Sequence, residues 1–190
     1  YLQGSTTSLR ERAHFALLQS VLEAPFYTEL RTERQLGYAV GSRIMPLHRV
    51  PGIMFYVQSP TVKTAPLMAE IEDFLARAEQ LVGALTDADL ARHQQAVLTG
   101  IEETPKSLGD LTARHQEALQ LGFTDFDFRA RLAQEVRAAT PDSLLRIYRQ
   151  QALGSGRGLW VTTQDATAPG AGVDAAALAA HSDGYYLFRQ

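Results

Sequence analysis

The sequence predicts an α+β domain: a mixed or antiparallel sheet with several helices packed on one face. Three observations carry this. Ile53, Phe55 and Val57 alternate with Met54, Tyr56 and Gln58, the period-two pattern of a half-buried strand. Leu67, Met68, Ile71, Phe74, Leu75, Ala78, Leu81 and Val82 recur at spacings of three and four, the apolar stripe of a helix. The element order (strand, helix, two adjacent strands, several helices, strand) suits a sheet covered by helices rather than alternating βαβ units.

Tyr1 to Gln3 opens as a short strand, and Ser5 to Ser8 is a polar turn. From Leu9 the pattern is helical, with His14, Phe15, Leu18, Val21 and Leu22 on one face. Pro25 is expected to interrupt it and to start a second short helix over Pro25 to Arg31, where a missing N–H costs nothing. Gly37 closes that unit. Tyr38 to Ile44 and Ile53 to Ser59 form a hairpin across the turn-rich Pro46 to Gly52. Thr64 is the expected cap of the striped helix. Thr86 caps the next helix, with Asp89 at the reciprocal position of a capping box; it carries Leu90, Val97, Leu98 and Ile101, and Pro105 ends it. Ser107 starts a helix through Leu121, and Gly122 stops it. Asp127 to Ala138 and Thr140 to Ala152 are two more helices. Gly158 to Thr163 is a final strand. The domain is expected to span 1–163, with 164–190 an Ala-, Pro- and Gly-rich linker and tail in which Tyr185 to Phe188 could add a strand.

Bulk properties exclude several functions. The 190 residues are 45% hydrophobic and 21% charged, an ordinary globular balance. A net charge of −3 gives no general attraction to nucleic acid or anionic membrane. No cysteine is present, so thiolate chemistry and disulfides are out. No apolar run reaches the ~18 residues that a membrane span needs. The start, YLQGSTTS, has neither the basic nor the apolar region of a signal peptide and reads as a strand entered midway in a longer protein.

Self-contained catalysis is also absent from the pattern. The five histidines, His14, His48, His93, His115 and His181, include no pair at the spacing of HExxH or HxxEH. No GxSxG elbow or phosphate-binding glycine loop occurs. Gly154-Ser155-Gly156 is a connector. Glu102-Glu103 and Glu70-Glu72-Asp73 fit a solvated helix face.

One segment is unlike the rest: FYTELRTERQLGYAV, Phe26 to Val40. Arg31 is permanently charged with five donors, and Tyr38 offers one donor at the start of a strand. Extended peptides present carbonyl oxygens to such groups, and donors aimed at a developing oxyanion are a strong catalytic device. The alternative is structural: Arg31 paired with Glu29 or Glu33, and Tyr38 packed on the sheet edge.

Leu30-Arg31-Thr32 and Gln35-Leu36-Gly37-Tyr38, with Glu23-Ala24-Pro25-Phe26 before and Gln58-Ser59 after, resemble the signature of pitrilysin/insulysin-type M16 metallopeptidases. Pro105-Lys106-Ser107-Leu108 and Phe126-Asp127-Phe128 extend the resemblance, which runs from about residue 1 to residue 163. It implies the last of four homologous α+β domains arranged as a clamshell. The HxxEH zinc site would then lie in the missing N-terminal domain, with no metal in this chain. Arg31 and Tyr38 would contact peptide backbone and the transition state across the chamber. The implied partners are the N-terminal half, or a partner subunit, and a peptide substrate. Alone, the chain would be inactive. The short loop Pro46 to Pro51 leans towards the PqqF subgroup, implicated in processing the PqqA peptide in pyrroloquinoline quinone biosynthesis, over a general oligopeptidase. The resemblance also allows a zinc-less partner or scaffold subunit. Ala- and Arg-rich composition suggests a bacterial member, in cytoplasm or periplasm.

Overall fold

A computed structural model describes residues 1–124, 127–154 and 158–162. Strand β1 (Leu2–Gln3) leads to helix α1 (Leu9–Tyr27), which continues into a π-helical segment, Thr28–Glu33. Strands β2 (Ala39–Ile44) and β3 (Gly52–Gln58) follow. Helices α2 (Thr64–Gly83), α3 (Asp87–Glu102), α4 (Leu108–Gln120), α5 (Phe128–Ala138) and α6 (Pro141–Tyr148) come next, then a second π-helical segment, Arg149–Gly154. The sheet has order β1-β3-β2 and is antiparallel throughout. The hairpin register runs from Ala39 opposite Gln58 to Ile44 opposite Ile53.

Helix α1 is the central beam. Its buried residues include Ala13, Phe15, Leu17, Leu18, Val21, Leu22 and Phe26, and it packs on the hairpin, α3, α5 and α6. Phe26 ties three elements together. Its ring lies 5.1 Å from Phe55 of β3 and 5.1 Å from Phe74 of α2, the latter edge-on, the favoured aromatic geometry.

Most expected boundaries hold. The Thr86–Asp89 capping box forms, with both reciprocal bonds. Helix α4 starts on Ser107 and ends in a Schellman turn: Gly122 adopts φ +77° while Phe123 N–H donates to Ala118 O at 2.8 Å and Gly122 N–H to Leu119 O at 2.9 Å.

Four expectations need correction. Pro25 does not divide the helix; it sits inside α1. A mid-helix proline costs about 3 kcal/mol. Leu22, Phe26 and Leu30, at successive spacings of four, are all fully buried, and each such side chain returns about 1.5–3 kcal/mol. Keeping that row on one rod outweighs the lost bond. Thr64 is not the cap of α2; Lys63 is, with no side-chain capping bond. The expected strand at Gly158 is, over the described residues 158–162, an isolated bridge to Leu2, flanked by Leu159 N–H to Tyr1 O at 2.9 Å. The last helix passes into the π-helical segment after Tyr148. Phe126, Ser155, Gly156, Thr163 and the tail 164–190 with Tyr185 to Phe188 lie outside the described residues.

Candidate functional site

The site is built on the seam where α1 unwinds and the sheet begins. In the π-helical segment Arg34 N–H reaches Glu29 O at 2.9 Å, five residues back. Such widened turns recur at functional sites. Leu30 points inward and is fully buried, while Arg31 stands half-buried beside it. Leu36 N–H then bonds Leu30 O at 2.9 Å, which folds the connection back on the helix end. Gln35 makes the reversal at φ +53°, a left-handed conformation uncommon outside glycine.

Gly37 explains the Gln-Leu-Gly sequence. A Cβ at this position would lie 2.2 Å from the Gln58 carbonyl oxygen, so only glycine lets the two main chains approach this closely. The next residue completes the clamp: Tyr38 N–H donates to the same Gln58 oxygen at 2.9 Å. Ser59 then turns the chain towards α2, accepting from Val62 N–H at 2.9 Å. The backbone of Tyr38 is thus fixed, while its side chain is 65% exposed.

Charges around the segment are sorted into paired and unpaired. Glu29 takes Arg34 at 3.1 Å and Arg77 at 2.5 Å, and Arg34 also pairs with Glu70. This network crosses from the π-helical segment to α2. Glu29 is therefore not Arg31's partner. Among the described residues the Arg31 guanidinium and the Tyr38 hydroxyl have no hydrogen-bond or ion-pair partner. Both groups remain available beside a network in which Glu29, Arg34, Glu70 and Arg77 bind one another.

The histidines do something else. His14 is buried, with Nδ1 2.6 Å from Arg10 O and Nε2 2.8 Å from Ser143 Oγ. Desolvation holds its pKa below the ordinary value, which favours the neutral ring; Arg10 O accepts from Nδ1–H, and Nε2 faces the Ser143 hydroxyl, which also has Thr140 O as an acceptor at 2.8 Å. His93 Nδ1 lies 3.0 Å from Ser20 Oγ. Among the described residues no group of three or more His, Asp or Glu side chains could hold a metal ion. No described helix is long and apolar enough to cross a membrane.

Sequence reasoning missed a buried polar cluster at the other end of α1. Glu11 is buried and accepts from the N–H and hydroxyl of Ser5 (both 2.9 Å), those of Thr6 (2.6 and 2.7 Å) and Gln151 Nε2 (3.1 Å). Burial pushes this carboxyl up, but the Ser5 and Thr6 bonds outweigh it and hold it below the ordinary value. A signal was present: Ser8 and Glu11 have capping-box spacing. Ser8 does accept from Glu11 N–H at 3.2 Å, but the carboxylate reaches further back, to Ser5 and Thr6.

Comparison with known proteins bears on the family and the fold. Residues 17–116 match the family model described as PQQ synthase PqqF-like, C-terminal lobe domain 4. Protease 3 of Salmonella typhi is 31% identical over 138 residues, 73% of this chain and 14% of that protein. Coenzyme PQQ synthesis protein F of Pseudomonas syringae pv. tomato is 33% identical over 142 residues, 70% of this chain and 18% of that protein. The crystal structure of pitrilysin superposes with a TM-score of 0.73 at 28% identity, over 80% of this chain and 16% of that one. The fold and these matches define a C-terminal domain of the M16 peptidase type. Within that class the chain belongs to the PqqF-like family, as C-terminal lobe domain 4. It spans less than a fifth of the length of either curated relative.

Proposed function

We propose that this chain is the non-zinc-binding domain of an M16 endopeptidase, closing the substrate chamber and presenting Arg31 and Tyr38 to the bound peptide. The observation that carries the reading is the contrast in pairing. Glu29, Arg34, Arg77 and Glu70 satisfy one another, while among the described residues Arg31 and the Tyr38 hydroxyl have no partner, on a pinned backbone. Unused donors on a rigid support suit an oxyanion contact, because they need no reorganisation as charge develops.

Roles divide by chemistry. Arg31 donates to peptide carbonyls and orients the backbone, its planar fork engaging two acceptors at once. Tyr38 donates one hydrogen bond to the carbonyl oxygen that gains charge. Zinc bound to an HxxEH site in the N-terminal half would supply Lewis-acid and water-activating chemistry. The substrate class we propose is a short precursor peptide, PqqA in pyrroloquinoline quinone biosynthesis. The family match and the name of the Pseudomonas relative support it.

The test uses the complete peptidase. Tyr38→Phe is expected to lower kcat about 10²–10³-fold with little change in KM. An unchanged kcat would remove Tyr38 from the reaction and leave the domain a scaffold. Cleavage of unrelated peptides as fast as PqqA would replace the precursor with a general oligopeptide substrate.

A further inference from the structure

The sheet has two unlike faces. Phe55 of β3 lies against Phe26 of α1, so the helix packs on the face that Ile53, Phe55 and Val57 share. Side chains alternate along a strand, so the opposite face belongs to Met54, Tyr56 and Gln58 and to their partners Arg43, Gly41 and Ala39. Arg43, Tyr56 and Gln58 are exposed there.

The chemistry of this open face is one-sided. A Cβ at Gly41 would lie 2.7 Å from the Tyr56 hydroxyl oxygen, so the phenol lies across β2 in space that a side chain would fill. Arg43 follows two residues on and is the only charged residue in the three strands. Its guanidinium reaches Met54 Sδ at 3.9 Å, a thioether and a weak acceptor. Among the described residues no carboxylate pairs with it. The face therefore presents one uncompensated positive charge, which favours an anionic partner over a cationic one.

Position gives that charge a use. Arg43 lies five residues after Tyr38. At about 3.3 Å per residue the two are roughly 16 Å apart along the strand, and an extended peptide advances by the same rise. A peptide held at Tyr38 by its scissile bond and following β2 brings a residue about five positions from that bond over Arg43. We propose that Arg43 is a specificity-determining residue that selects an acidic side chain of the substrate at that remove from the scissile bond. The proposal rests on the reading of Tyr38 as a peptide contact.

The test uses the complete peptidase and sets of peptides that differ only in carrying Glu, Gln or Lys at a single position, four to six residues from the scissile bond on either side. At one such position Glu should exceed Lys by about five- to thirtyfold in kcat/KM, the range of an exposed ion pair set against a like-charge contact. Added salt should shrink the preference. Arg43→Gln should flatten it, and Arg43→Glu should invert it to favour Lys. The same ranking of peptides in wild type and Arg43→Glu would overturn the proposal. So would an equal loss on all peptides in both variants, which assigns Arg43 to structure. Inversion by Arg43→Glu alongside a normal kcat in Tyr38→Phe would refute the catalytic role of Tyr38 alone. A Tyr38→Phe enzyme that loses turnover, with no inversion by Arg43→Glu, would refute the Arg43 assignment alone.

Discussion

The two ends of α1 treat polar groups in opposite ways. At the N-terminal end Glu11, His14, Ser143 and Gln151 are buried, and Glu11 alone collects five donors. At the C-terminal end Arg31 and Tyr38 are accessible, with donors unused among the described residues. Buried and paired groups hold a fold together, because an orphaned one costs about 1–3 kcal/mol. Exposed and unpaired groups on a fixed backbone contribute little to folding, so their chemistry is free for a ligand. The difference separates structure from function along a single helix.

Substitutions can break that comparison, and the largest effect should be Tyr38→Phe: about 10²–10³ in turnover with the melting temperature unchanged. A large loss of thermal stability in that variant would mean that the hydroxyl is structural, and the two ends would no longer differ. The reverse holds for Glu11→Ala. Removing the carboxylate leaves the Ser5 and Thr6 amides without acceptors, and denaturant unfolding should show a loss of at least about 2 kcal/mol. A loss below about 0.5 kcal/mol would show that water replaces the carboxylate and that the cluster is not a staple.

Gly37→Ala sharpens the comparison, because it moves the Tyr38 support without touching its hydroxyl. Its Cβ must displace the Gln58 carbonyl, at a cost of about 1–3 kcal/mol. Turnover should fall with it, and an unchanged kcat would mean that the clamp does not position Tyr38.

The smallest effect is on pH. His14 has a folded pKa lowered by desolvation, as does His93. The unfolded chain then binds more protons than the folded one below about pH 6.5, so stability should decline as pH falls through that value. Glu11, also lowered, contributes stability above its unfolded pKa that is lost only at more acidic pH. Unfolding free energy that is flat from pH 7.5 to 5.5 would contradict the buried neutral state of His14. In His14→Gln the slope should shrink, with the His93 share remaining.

How much of this was legible in the sequence depends on range. Local signals read true: the Ile71–Phe74–Ala78–Val82 row is buried, Thr86 and Asp89 form their box, and Gly122 ends α4. The hairpin was legible because alternation at Ile53 to Gln58 reflects one buried face. Pro25 misled because its local cost is outweighed by contacts of Phe26 with Phe55 and Phe74, some 30 and 50 residues away in the chain. The Glu29–Arg77 pair and the Glu11–Gln151 bond join residues 48 and 140 apart, where no periodicity reaches. Arg31 and Tyr38 could be singled out only as residue types in an odd place. That Glu29 is occupied by two other arginines is a fact of three dimensions.

The contact beneath Tyr38 also bears on how this surface can change over evolutionary time. Gly37 abuts a main-chain oxygen, an atom common to all twenty amino acids, so no replacement of Gln58 can make room for a side chain at position 37. A clash between side chains can be relieved by shrinking the neighbour; this one has no such second-site suppressor. Drift at position 58 is therefore unconstrained by position 37, while position 37 itself has no neutral path away from glycine unless the strand end moves and carries Tyr38 with it.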